Sequence, residues 1–153
     1  VKCQQFELYA AEAGVPTGRE FQSGADLQRY VDELRELHYW QRNFTKVVRI
    51  EAYVRPPSWR GGSVGWWKPD YSAGVIEMAQ CHLNELTVLH EVSHVLAAAR
   101  YGARSHDPWF ARTYLELVYA VLGPATYDAL RTAFERGGID HDTDNAVPGG
   151  IVL

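Results

Sequence analysis

A chain of 153 residues, 46% hydrophobic and 22% charged, has the size and make-up of one globular domain with its own core. A net charge of −4 argues against broad electrostatic binding to nucleic acid. No apolar run approaches the length of a membrane span and no signal-peptide pattern opens the chain, so the expected setting is cytoplasmic, with Cys3 and Cys81 as free thiols.

In chain order, residues 2–11 contain Gln5-Phe6-Glu7-Leu8-Tyr9, whose alternation predicts a strand. Residues 14–24, with Pro16 and Gly18, read as a loop. Ser23 or Asp26 then caps a helix running to about Trp40, with Leu27, Tyr30, Val31, Leu34 and Leu37 at helical spacing. His38 near its end reads as a favourable charge on the helix dipole, not as a ligand. Residues 45–54 are β-branched and predict a strand, closed by Pro56-Pro57. Gly61-Gly62 signals a turn, and short strands follow at 64–68 and 75–80, separated by a turn over 69–74.

Next comes Thr87-Val88-Leu89-His90-Glu91-Val92-Ser93-His94-Val95-Leu96-Ala97-Ala98-Ala99, in a helix capped by Asn84 with Glu85 in its first turn. Each helical residue advances about 100°, so His90 and His94 lie on one face, one turn apart. Two imidazoles at that spacing hold one zinc ion, and Glu91 beside them is placed to act on water rather than to bind metal. Val88, Val92, Val95 and Ala99 form one apolar stripe and Leu89 and Leu96 another, so the helix belongs in a core. Ionisable side chains buried there need partners, and a metal supplies one.

A catalytic zinc site has three protein ligands and one open position. The candidates after His94 are His106, Asp107 and Glu116. Asp107-Pro108 has the chemistry of a helix start, Asp at the N-cap and Pro at the first helical position. That gives Asp107 a structural task and leaves His106 free to point back, which makes His106 the first choice. Glu116 qualifies only if the middle of the following helix crosses the metal. Ala97 stands where the compact metzincin continuation has Gly. The next helix runs from Pro108 to about Leu122. Gly123-Pro124 separates it from another over 125–136, ended by Gly137-Gly138.

Residues 1–138 thus form the expected domain and 139–153 an acidic, Gly-rich tail. There His141, Asp142 and Asp144 read as solvated rather than as ligands. The element order predicts an α+β fold with a mainly antiparallel mixed sheet packed on helices. Trp59, Trp66, Trp67 and Tyr71 interleave with Arg55, Arg60 and Lys68. Packing of a hairpin over the sheet is the first reading of these rings, ahead of a substrate groove or single-stranded nucleic acid. Tyr71 and Tyr114 are the polar groups considered for steadying an oxyanion.

His90-Glu91-x-x-His94, a short linker and His106-x-x-x-Phe110 opening a helix resemble the pattern of SprT-like zinc metallopeptidases. The resemblance is closer still to a family of small bacterial metallohydrolases with the same layout. It covers mainly residues 73–137, and departs where Asp107 replaces the Gly usual after the third His in SprT-like proteins. It implies a minimal zincin fold, zinc held by His90, His94 and His106, and Glu91 as general base. It brings no substrate, and the nucleic-acid-binding segments of the DNA-repair members are absent. The expected function is a zinc hydrolase acting on peptides or proteins, in which the strand at 75–80 takes the place that pairs with an extended peptide. The alternative is a non-catalytic, zinc-stabilised binding or regulatory module.

Overall fold

The computed structural model describes residues 4–144. It is an α+β fold in which six α-helices surround a small three-stranded mixed sheet. The helices are α1 (Gln5–Glu12), α2 (Gly24–Leu34), α3 (His38–Asn43), α4 (Glu85–Tyr101), α5 (Pro108–Leu122) and α6 (Pro124–Gly137), and the strands are β1 (Arg49–Val54), β2 (Val64–Lys68) and β3 (Ala73–Met78). None of the described helices is long and apolar enough to cross a membrane.

The first element corrects the sequence expectation: residues 5–12 are helix, not strand. The five-residue alternation is outweighed by a longer pattern in which Gln4, Leu8 and Ala11 are buried at helical spacing. The helix predicted from Ser23 to Trp40 is two helices. Ser23 caps α2, its side chain accepting from the Asp26 amide at 3.1 Å, but Leu37 is extended and α3 starts at His38. His38 therefore opens a helix rather than closing one. The break turns Trp40 inward, where its indole N–H donates to the Val47 carbonyl at 3.3 Å.

The sheet order is β1-β3-β2, with β1 parallel and β2 antiparallel to β3. It is evenly mixed rather than mainly antiparallel, because the chain leaves one strand's width between β1 and β2 and β3 fills it. β3 is therefore the central strand and has no free edge for a peptide, which overturns the role expected of residues 75–80. The two outer edges differ. On β1 the Gln28 side chain, from α2, donates to the Ile50 carbonyl at 2.9 Å and accepts from the Ala52 amide at 2.8 Å. That amide closes the edge to further pairing. Beyond β2 no strand pairs among the described residues.

Helix α4 lies against the sheet, and two glycines permit its approach. A Cβ on Gly65 of β2 would overlap the Glu91 carbonyl, and one on Gly74 of β3 would overlap the Val95 side chain. The helix is buried nearly all round, from Leu86 to Ala99. Its start is fixed three ways. Asn84 accepts from the Thr87 amide at 3.0 Å, and the Glu85 and Leu86 amides donate to the carbonyls of Arg19 and Thr17. Glu85 also accepts the Tyr30 hydroxyl at 2.9 Å, tying α4 to α2. Gly102, left-handed at φ 63°, ends the helix.

The segment after α6 does not leave the domain at once. Ile139 and Thr143 are buried, and Gln4 pairs with both backbone groups of Asp140, donating at 2.8 Å and accepting at 2.6 Å. The tail expected to be solvated thus packs against the domain through Ile139 and Thr143, while Asp140, Asp142 and Asp144 are exposed.

Candidate metal centre

His90 and His94 project from the same face of α4, and the loop between α4 and α5 carries His106 to them. The turn depends on two neighbours. Ser105 adopts a left-handed conformation at φ 52°, which reverses the chain just before His106. Asp107 accepts from the Phe110 amide at 2.9 Å through one oxygen and from the Arg104 amide at 2.9 Å through the other. It is therefore both the N-cap of α5 and the clasp of the loop. Both its oxygens are engaged by backbone amides, and it does not join the converging ligand atoms of His90, His94 and His106. Replacing it with Ala is expected to cost about 0.5–2 kcal/mol of stability while leaving the metal bound. Thermal melts with and without a chelator check this, since loss of a ligand would abolish the chelator-sensitive shift.

The three imidazoles converge through their Nε2 atoms. His90 Nε2 and His94 Nε2 each lie 3.1 Å from His106 Nε2. A tetrahedral zinc with bonds of about 2.0–2.1 Å would set neighbouring nitrogens roughly 3.3 Å apart. One proton on His106 Nε2 cannot serve two acceptors at once, so hydrogen bonding alone leaves lone pairs facing each other. A cation at the centre removes the conflict. Among the described residues, His90, His94 and His106 lie close enough to bind a metal ion.

Their electrostatics agree. Burial, reinforced by repulsion from His90, holds His106 down at about 4. Burial and the two neighbouring imidazoles push His94 well below its ordinary value. Both rings are therefore neutral at pH 7, the form that binds metal. Burial works to lower His90 as well, but the Glu12 carboxylate against its other nitrogen raises it overall. Phe110 packs against all three rings, stacked on His94 with centroids 4.2 Å apart, and forms the apolar floor.

Glu91 is buried beside this centre. Burial raises its carboxyl, His90 opposes the rise and Glu12 adds to it, with a result of about 7 against an ordinary 4.5. A cavity of about 550 Å3 opens onto His90 and Glu91, lined also by Tyr9, Glu12, Ser63, His82 and Thr87. A larger groove of about 810 Å3 between α1 and α6 contains none of the histidines.

The other candidates fall elsewhere. Glu116 is engaged on the far side of α5, accepting from the Tyr39 hydroxyl at 2.9 Å and from Arg112 Nε at 2.8 Å. His141 packs on Phe134 and faces Glu116 and Arg112 rather than the histidines. Neither tyrosine considered for an oxyanion is suited to it. Tyr114 is fully buried, with its hydroxyl donating to the Leu86 carbonyl at 3.2 Å, and Tyr71 is 72% exposed outside the cavity lining. In the aromatic stretch, Arg55 lies over Trp59 at 4.5 Å and pairs with Glu77, while Trp67 packs on the core. Cys81 is free and exposed, and Cys3 lies outside the described residues. The residues that sequence reasoning missed are Glu12, Tyr9 and Gln4, all brought to the centre by α1, and His82 on the cavity wall. Gln4 donates to the His106 carbonyl at 3.1 Å.

In comparisons with protein-family models, curated proteins and solved structures, nothing matches this chain. The functional reading accordingly rests on the site itself.

Proposed function

We propose that this protein is a zinc-dependent hydrolase, a minimal metallopeptidase of the zincin kind. The observation that carries the reading is Glu91: a buried carboxylate next to three converging imidazoles and facing a cavity large enough for part of a peptide. A purely structural metal site has no use for a proton acceptor at such a position.

His90, His94 and His106 would hold the metal through Nε2. When bound, zinc in such a site makes water nucleophilic near neutral pH, lowering its pKa from about 16 to about 7, and polarises a carbonyl. Glu91, buried beside that site, would accept a proton from the attacking water and return it to the leaving amine. Phe110 forms an apolar floor beneath the imidazoles. An extended peptide is the substrate class the sheet favours. Among the described residues no strand pairs with the outer side of β2, and its Gly65 lies against the Glu91 backbone, so a peptide added there would run past the centre. β2 thus takes the role first given to residues 75–80.

The second reading, a metal-stabilised binding or regulatory module, draws on the way the three histidines join α4 to the loop before α5. Purified protein loaded with one equivalent of zinc and incubated with a library of peptides separates the two. Cleavage products that vanish with a chelator and return with zinc are expected. Retention of one metal per chain with no cleavage across the library would leave the module reading in place.

A further inference from the structure

The nitrogen of His90 that faces away from the centre has one partner of opposite charge. Nδ1 lies 2.5 Å from Glu12 Oε1, with His90 1% exposed and the Glu12 side chain largely buried. Glu12 is the last residue of α1, 78 positions before His90 in the sequence. We propose that Glu12 is the positioning residue of the metal centre: its carboxylate accepts the Nδ1 proton of His90 and so turns the Nε2 lone pair toward the metal.

An imidazole carries its proton on either nitrogen, and the tautomer with Nε2–H would place a proton where the metal belongs. A carboxylate acceptor at Nδ1 selects the productive tautomer, fixes the ring plane, and makes Nε2 a stronger donor to a cation. At His90 the fold supplies that carboxylate through Glu12, which anchors this imidazole. Tyr114, whose buried hydroxyl donates to the Leu86 carbonyl, lies beside this carboxylate, and Gln4, at the other end of the same helix, bonds to the carbonyl of His106. Helix α1 therefore grips both ligand-bearing segments, α4 through the His90 side chain and the following loop through the His106 backbone. Tyr9, between them, lays its ring over His90 at 5.8 Å and sets its edge toward His106.

The proposal rests on the metal reading of the three histidines but not on hydrolysis, and its test reads metal affinity. Zinc competition titrations would compare wild type, Glu12→Gln, His90→Ala and the double variant. Glu12→Gln is expected to weaken zinc binding about 10–100-fold in the wild-type background. In the His90→Ala background it should change affinity by less than about threefold, because a residue acting through His90 has nothing left to act on. Equal losses in both backgrounds, or no loss in wild type, would overturn the assignment. A nitrogen-15 NMR spectrum of the zinc-loaded wild-type protein gives an answer independent of how the variants fold. Protonated Nδ1 on His90 is expected, and metal bound at Nδ1 would sink the proposal. If wild type binds no zinc at all, the metal reading has failed and not merely the role of Glu12.

Discussion

Replacing Glu91 with glutamine is expected to leave one metal per chain and to reduce hydrolysis by about two to four orders of magnitude. The substitution keeps shape and volume but removes the group that accepts a proton. Metal binding should survive, because the converging ligand atoms belong to the three histidines alone. Folding should survive too, and pH provides the check. The carboxyl of Glu91 is raised in the metal-free fold from an ordinary 4.5 to about 7 by burial. The folded state therefore holds its proton more tightly than the unfolded chain. That contribution to stability is complete below about pH 4.5 and is lost as pH rises through about 7. Chelated wild type at pH 8 has lost it, whereas glutamine never ionises. Melts of the chelated proteins should thus show the variant at least as stable as wild type at pH 8, with its advantage fading toward pH 4.5. Lost activity with retained metal and undiminished stability isolates a chemical role for Glu91. Unchanged activity in the variant would refute the general-base mechanism.

The centre itself was the most legible part of the sequence. His90 and His94 are fixed by helical periodicity, and α4 announces its own limits with Asn84 and Gly102. His106 followed from Asp107-Pro108, since a helix that starts at Pro108 leaves the residue before its cap outside the helix. What stayed hidden has a common cause: it depends on contacts between segments far apart in the chain. Glu12 carries no local signal, because its partner is 78 residues away and a carboxylate at a helix end is ordinary. Reading residues 5–9 as a strand concealed it further, since in that reading Glu12 falls beyond the element. Strand pairing was illegible for the same reason. β1, β2 and β3 each show their β character, but nothing local says that the last strand inserts between the first two. The break at Leu37 is subtler. Leu34, Leu37 and Trp40 continue helical spacing without interruption, and only the bond from Trp40 to Val47 shows why the backbone turns there.

His106→Ala is expected to lower zinc affinity by several orders of magnitude, while Glu116→Gln changes it at most severalfold. His106 Nε2 stands between His90 Nε2 and His94 Nε2, 3.1 Å from each, and its loss leaves two ligands on one helix face with nothing to close the set. The backbone around it is built for this placement: Ser105 takes a left-handed turn and Asp107 clasps the Arg104 amide. Glu116 has its carboxylate committed to Tyr39 and Arg112, so its neutral analogue should disturb that local network and not the metal. The distinction also bears on chemistry. Three neutral imidazoles leave a bound zinc with its full double charge, which favours a more acidic water than a site with a carboxylate ligand does. Chelator competition titrations on the two variants decide between them. The reverse ranking would require α5 to swing its middle across the centre, and would place the carboxylate rather than His106 in the ligand set.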